Sequence, residues 1–211
     1  MFYLARSYAE ESKYLHIPGL DRIGLNKRDV ITSLVFITAI LSSNYAMSGV
    51  PNIKLFDLLV FSAGYVLGFR RGVVVAASAW LLYGTFNPWG SADSLLLTVL
   101  MASETVYAFL GFCFRGLVSR RDLRLFNIRQ TKILISFAIL ATFSYDLFTN
   151  TYTGIVWANM SGGSYWFWIK IALFNPGALL FSLVHVAGNV IMFSIMGPLI
   201  IKGFTFLHQK N

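Results

Sequence analysis

Cysteine is nearly absent: Cys113 alone occurs in 211 residues, so no internal disulfide can form and no cysteine cluster can bind a metal. Histidine is almost as scarce, at positions 16, 185 and 208, and a zinc site would have to borrow carboxylates. No glycine-rich phosphate loop, no His-Glu-x-x-His pair and no Gly-x-Ser-x-Gly elbow is present. These absences argue against an enzyme, a bound metal and a cofactor. Internal repeats and low-complexity linkers are missing too, and no cleavable signal peptide is evident, because residues 1–28 are polar and carry five basic and three acidic positions. The chain therefore reads as a cytoplasmic or interfacial lead, 1–28, followed by one domain, 29–211.

What the chain has in excess is apolar surface. Hydrophobic residues make up 56% and charged ones 12%, with a mean hydropathy of +0.65, which leaves a soluble domain too little polar area to cover itself. The class expected is an integral membrane protein. A net charge of +8 would otherwise suggest nucleic acid. The basic residues, however, flank apolar segments, where orientation and attraction to anionic headgroups account for them, and no nucleic-acid partner is expected.

Their distribution is uneven. Arg6, Lys13, Arg22, Lys27 and Arg28 form one group, Arg70 and Arg71 a second, Arg115, Arg120, Arg121, Arg124, Arg129 and Lys132 a third, and Lys202 and Lys210 a fourth. Only Lys54 and Lys170 fall on the other side of the intervening apolar segments. Under the positive-inside rule the basic side is cytoplasmic. Both termini then lie in the cytoplasm, and a bundle of six transmembrane helices in the cell membrane is expected.

The apolar segments fall near 30–47, 55–69, 73–86, 94–114, 133–148 and 178–201. The second and third are short against the roughly 20 residues that a crossing takes. Two short crossings are preferred to a re-entrant hairpin, which would put Arg70 and Arg71 on the side of Lys54. Pro198 stands where it would kink or end the last span. Between the last two spans an outer aromatic loop, 149–176, holds Tyr152, Trp157, Tyr165, Trp166, Phe167, Trp168 and Phe174. Such residues favour the headgroup level, so a short helix or lid is expected there.

Ionisable groups inside hydrocarbon are expensive, which singles out Asp57, Glu104, Asp146 and His185. Asp57 and Asp146 lie near outer helix ends, where a structural role is as good a reading. Glu104 and His185 lie about ten and eight residues into their spans, close to mid-membrane, and Asn189 follows His185 by one helical turn. These buried groups either satisfy one another or floor a cavity between spans four, five and six that opens outward. Its upper wall would hold Asn87, Trp89, Asp93, Tyr145, Asn150, Trp157, Asn159 and Trp166, a setting suited to a small, partly planar ligand. Small residues spaced by four, Gly64, Gly68 and Gly72 on span two and Thr38, Ser42 and Ala46 on span one, let helices approach closely. Packing within the chain explains them simply. With Ala39 and Ser43, the face on span one also suits docking of a separate membrane subunit.

Three stretches carry a family resemblance: Tyr83-Gly-Thr-Phe-Asn-Pro-Trp-Gly90 after span three, Tyr145-Asp-Leu-Phe-Thr-Asn150 closing span five, and His185-Val-Ala-Gly-Asn189 in a span that ends in Gly197-Pro198. In their order and placement, over roughly residues 30–203, the chain resembles the substrate-binding S component of energy-coupling factor (ECF) vitamin transporters. The resemblance implies an outward-facing pocket for a vitamin or similar small micronutrient. It also implies partnership with a transmembrane T component and two ATP-hydrolysing subunits, and release of the ligand by toppling in the membrane. The implied substrate-binding set is Asn87, Trp89, Glu104, Tyr145, Asp146, Asn150, Trp157, His185 and Asn189. The implied docking set is Thr38, Ala39, Ser42, Ser43 and Ala46. Here the sequence departs from the family, which often has alanines spaced by four where this chain has Ser42-x-x-x-Ala46 and Ala39-x-x-x-Ser43.

Two rival readings remain open. An accessory subunit of a larger membrane enzyme complex would fill the space between spans four, five and six with side chains. A membrane enzyme would use Glu104 and His185 as acid and base.

Overall fold

The computed structural model describes residues 26–50, 52–125 and 127–210, so most of the expected lead segment lies outside the described residues. Eight helices make up the described chain, which contains no strand and is 83% helical. They are α1 (Lys27–Ala46), α2 (Phe56–Leu67), α3 (Phe69–Thr85), α4 (Ser94–Leu117), α5 (Ile128–Ser161), α6 (Tyr165–Phe174), α7 (Pro176–Ile195) and α8 (Gly197–Lys210).

Local chemistry sets most of the helix starts. Asn26 caps α1 by accepting from Arg28 N, Asp93 caps α4 from Leu95 N and Leu96 N, Asn127 caps α5 from Gln130 N, and Asn175 caps α7 from Ala178 N. Each side-chain oxygen answers an amide that has no partner within the helix. Pro176 follows the last of these at the helix's first position, where its missing N–H costs nothing. Between α2 and α3 the chain turns within one residue, Gly68, at φ 90°, a value that side-chain-bearing residues rarely adopt.

Four helices are long and apolar enough to cross a membrane: α1, α4, α5 and α7. Only 22–39% of their apolar windows is buried within the protein. Leu34, Val74, Leu95, Phe143, Leu180 and Leu183 are among the large apolar side chains facing outward. A surface of that kind is stable against lipid and not against water.

In α2 all 12 residues are buried. A helix this apolar on every side belongs inside a bundle, and at about 18 Å it is too short to cross by itself. Helices α1, α3, α4, α7 and α8 pack against it. Its contact with α4 depends on glycine: a Cβ on Gly64 would lie 2.0 Å from the Ala108 carbonyl oxygen, and one on Gly111 would lie 1.9 Å from that of Phe61. Gly72 in turn meets the Gly64 backbone, so Gly64 and Gly72 serve packing within the chain while Gly68 makes the turn. Phe61, Tyr65, Tyr107, Phe114, Phe137 and Phe193 complete the aromatic core.

Two expected boundaries differ. The fifth span does not stop near 148, because α5 runs for 34 residues to Ser161, where Gly162 caps it in a left-handed conformation. Residues 149–161 of the expected outer loop are therefore helical, and the short helix foreseen there is α6. It folds back on α5 where Gly154 meets the Ile169 backbone. The sixth span is two helices broken at Met196, in line with the break expected at Pro198, which has no N–H and stands in the first turn of the new helix.

At one end of the bundle the start of α1, the start of α3 and the end of α8 converge on Asp29. Arg71 pairs with it at 2.8 Å, and His208 Nε2 lies 3.6 Å away. Arg120 donates to the Val66 carbonyl at the same end. At the opposite end the segment after α1 is pinned by Asn52, which donates to the Phe181 carbonyl of α7 at 2.9 Å, and Tyr45 donates to the Phe86 carbonyl after α3.

Candidate functional site

Toward the Asn52 end, α2, α5 and α7 bring together a buried polar group. His185 of α7 stands between two carboxylates: Nδ1 is 2.8 Å from Asp146 Oδ1 of α5, and Nε2 is 2.9 Å from Asp57 Oδ2 in the first turn of α2. One proton on each nitrogen satisfies both contacts, and so does a neutral ring beside one protonated carboxyl. One turn further along α7, Asn189 Nδ2 reaches Asp57 Oδ2 at 2.6 Å, Thr142 Oγ1 at 2.9 Å and Tyr107 Oη at 3.1 Å. Tyr107 donates to Thr142, which donates to the Ala138 carbonyl. The network thus ends on helix backbone, and every helix that contributes to it is held in register by it.

Glu104 is fully buried but stands apart. Its Oε2 accepts from Trp80 Nε1 at 3.2 Å, and its Oε1 has no partner. The sequence suggested that it meets His185 and Asn189. Asp57, for which the sequence makes a structural role as good a reading, takes that place instead. One signal promotes it: Asp57 is the sole Asp, Glu, Lys, Arg or His in α2.

Above this floor lies a cavity of about 140 Å³ with Phe56, Trp80, Tyr83 and Tyr145 as aromatic walls and Asn44, Asn52 and Lys54 near the segment between α1 and α2. Asp57 and His185 also line it. Lys54 donates to the Met47 carbonyl at 2.9 Å and the Asn44 carbonyl at 3.5 Å, at the end of α1. Burial pulls its ammonium below the usual lysine range.

The expected site is thereby divided. Tyr145 and His185 line the cavity, Asp146 and Asn189 bond the groups that form its floor, and Glu104 lies behind Trp80. Asn87 and Trp89 do not line it: they form an exposed turn in which Asn87 Oδ1 accepts from Trp89 N. Asn150 is half-buried on α5 away from the walls, and Trp157 packs edge-on against Trp168 in the α5–α6 hairpin. The space between α4, α5 and α7 holds Tyr107, Thr142 and Asn189, so the cavity sits nearer α2 and α3 than the sequence suggested. On α1, Thr38, Ser42 and Ala46 are exposed while Ala39 and Ser43 are half-buried.

Among the described residues no three His, Cys, Asp or Glu side chains are placed to hold a metal ion. No protein-family model, curated protein or solved structure matches the chain.

Proposed function

We propose that the chain is the substrate-specificity component of an ECF-type importer, which takes a small organic micronutrient from outside the cell and passes it to partner subunits that hydrolyse ATP. In this reading α1, α2, α3, α4, α5 and the broken pair α7–α8 make six crossings of the cell membrane. The Asp29 end is cytoplasmic with both termini, and the Asn52 end faces outward. The short, enclosed α2 crosses with its ends covered by its neighbours.

One observation carries the reading: a small cavity walled by aromatic rings and floored by a fixed network of charged groups, at the end of the bundle away from the arginines. Concave sites of this composition are the usual form of solute pockets. Side chains do fill the space between α4, α5 and α7, as the accessory-subunit reading has it, but that reading gives no use to the unfilled, polar-floored space beside α2 and α3. The exposed face of Thr38, Ser42 and Ala46 gives a T component a surface it can approach closely.

The test is purification through a tag on this chain after co-expression with a T component and two ATPase subunits, followed by mass spectrometry of retained small molecules. All four proteins are expected to elute together with a bound solute. Recovery of a lone chain with nothing bound would sink the proposal. Labelling of opposite faces at the Trp89 turn and the Arg120 turn tests the orientation independently.

A further inference from the structure

The chemistry of the ligand can be taken one step further, on the footing that the cavity is a solute site. Its charges cancel. Asp57 and His185 line it, and Asp146 holds His185 from behind. Whether the shared proton charges the ring or neutralises one of the two carboxyls, this trio carries a single negative charge. The Lys54 ammonium, also in the lining, matches it. Glu104 does not line the cavity, and with one indole N–H to answer a charge this fully buried group stands as a neutral carboxyl.

Donors, by contrast, stand free. The Tyr83 and Tyr145 hydroxyls and Asn44 Nδ2 line the cavity without a bond to any of the described residues. Lys54 gives protons to the Met47 and Asn44 carbonyls and keeps a third. Asp57 receives His185 and Asn189 on Oδ2, which leaves Oδ1 to take an N–H.

Water answers such donors, so a solute that takes its place loses affinity unless it brings acceptors of its own. A net charge on that solute would find no counter-charge left over, and an unanswered ion in an enclosed site is costly. The walls set the shape. Trp80 lies 4.8 Å from Phe56 and 6.1 Å from Tyr83, centroid to centroid, so a flat ring packs among rings. The volume of about 140 Å³ is close to that of an engineered cavity of about 150 Å³ that holds benzene, which sets the scale at one six-membered ring.

We propose that the cavity binds an uncharged six-membered ring bearing an amide or lactam group, whose carbonyl accepts from the free Tyr83, Tyr145 and Asn44 donors and whose N–H reaches Asp57.

Three probes with one planar skeleton and different charge test this on the purified full-length protein in lipid nanodiscs: benzamide, benzamidinium and benzoate, with affinity read by calorimetry against empty nanodiscs. Benzamide is expected to bind about tenfold or more tighter than either ion. Tyr83→Phe and Tyr145→Phe each remove one free donor and no bond within the protein, so each should weaken benzamide about threefold to tenfold while helical circular dichroism is unchanged. Glu104→Gln should leave the order of the three probes as it was. Either ion binding as tightly as benzamide, full benzamide affinity in both phenylalanine variants, or a changed order in Glu104→Gln overturns the inference. If no probe binds while the T component and ATPase subunits still co-purify, the ligand assignment falls and the transport reading stands. If benzamide binds as expected and those partners do not co-purify, the transport reading alone falls.

Discussion

Two aspartate–histidine clusters stand at opposite ends of the same bundle, and they are built to different ends. At the arginine-rich end one carboxylate, Asp29, is met by Arg71 and His208, with Thr32 3.1 Å from the His208 ring. At the cavity end two carboxyls, Asp57 and Asp146, share one histidine, Glu104 stands apart on Trp80, and acceptor oxygens are left unpaired. The first is a closed clamp, in which one acid is answered by two bases from α3 and α8. The second leaves hydrogen-bonding groups that the fold does not settle internally, and unsettled groups of this kind mark sites where a protein trades stability for binding.

The largest effect is expected from Asp57→Ala. It strips an acceptor from both His185 and Asn189, and loss of one partner of a buried ion pair costs about 3–5 kcal/mol. Thermal unfolding in nanodiscs measures it, and a small loss would mean that the network does not hold α2 to α7.

Glu104→Gln separates the two clusters in kind. Exchanging this fully buried carboxyl, which Trp80 alone bonds, for a carboxamide is expected to leave stability unchanged or raise it by about 1 kcal/mol. A marked loss of stability would show instead that Glu104 is part of the scaffold.

At the other end Arg71→Ala is expected to cost only about 0.5 kcal/mol, because the Arg71 side chain is 38% exposed and such pairs are screened. Retention of solute should be untouched, and added salt should erase the difference. A loss of ligand affinity in this variant would break the division between clamp and site.

The smallest effect concerns pH. Burial, and next the charge of Arg120, hold His208 below its usual 6.5 even though Asp29 pulls the other way, and Arg28 and Arg71 add to the lowering. The unfolded chain then takes up the proton more readily than the folded one. This stability is complete above the unfolded value and is lost as pH falls below about 6.5. His208→Gln should flatten that part of the unfolding profile. An unchanged slope would assign the dependence to other groups.

Legibility in the sequence followed the range of the interaction. Asn26, Asp93, Asn127 and Asn175 cap helices through amides two or three residues away, and apolar runs long enough to span lipid announce α1, α4 and α7. The end of α5 was missed because aromatic composition suggested an interfacial loop, whereas residues 149–161 keep their helical bonds and find cover in α6. Of the site, Tyr145, Asp146, His185 and Asn189 were named from their placement in apolar helices. Asp57 was passed over because depth along a helix says nothing of which neighbour lies beside it. Asn44, Trp80 and Tyr83 were missed as walls because none is unusual in its own segment.

By itself the sequence determined that the chain is helical, where most helices begin, and that its outer surface is apolar, since caps and hydropathy act within a turn or against the solvent as a whole. Tertiary structure alone decided that His185 meets Asp57, 128 positions away, and not Glu104. It also decided that the hollow lies beneath the segment joining α1 and α2. The reason is register: Gly64 and Gly111 let the α2 and α4 backbones meet at one depth only, and that depth fixes which polar side chains fall within a hydrogen bond of one another.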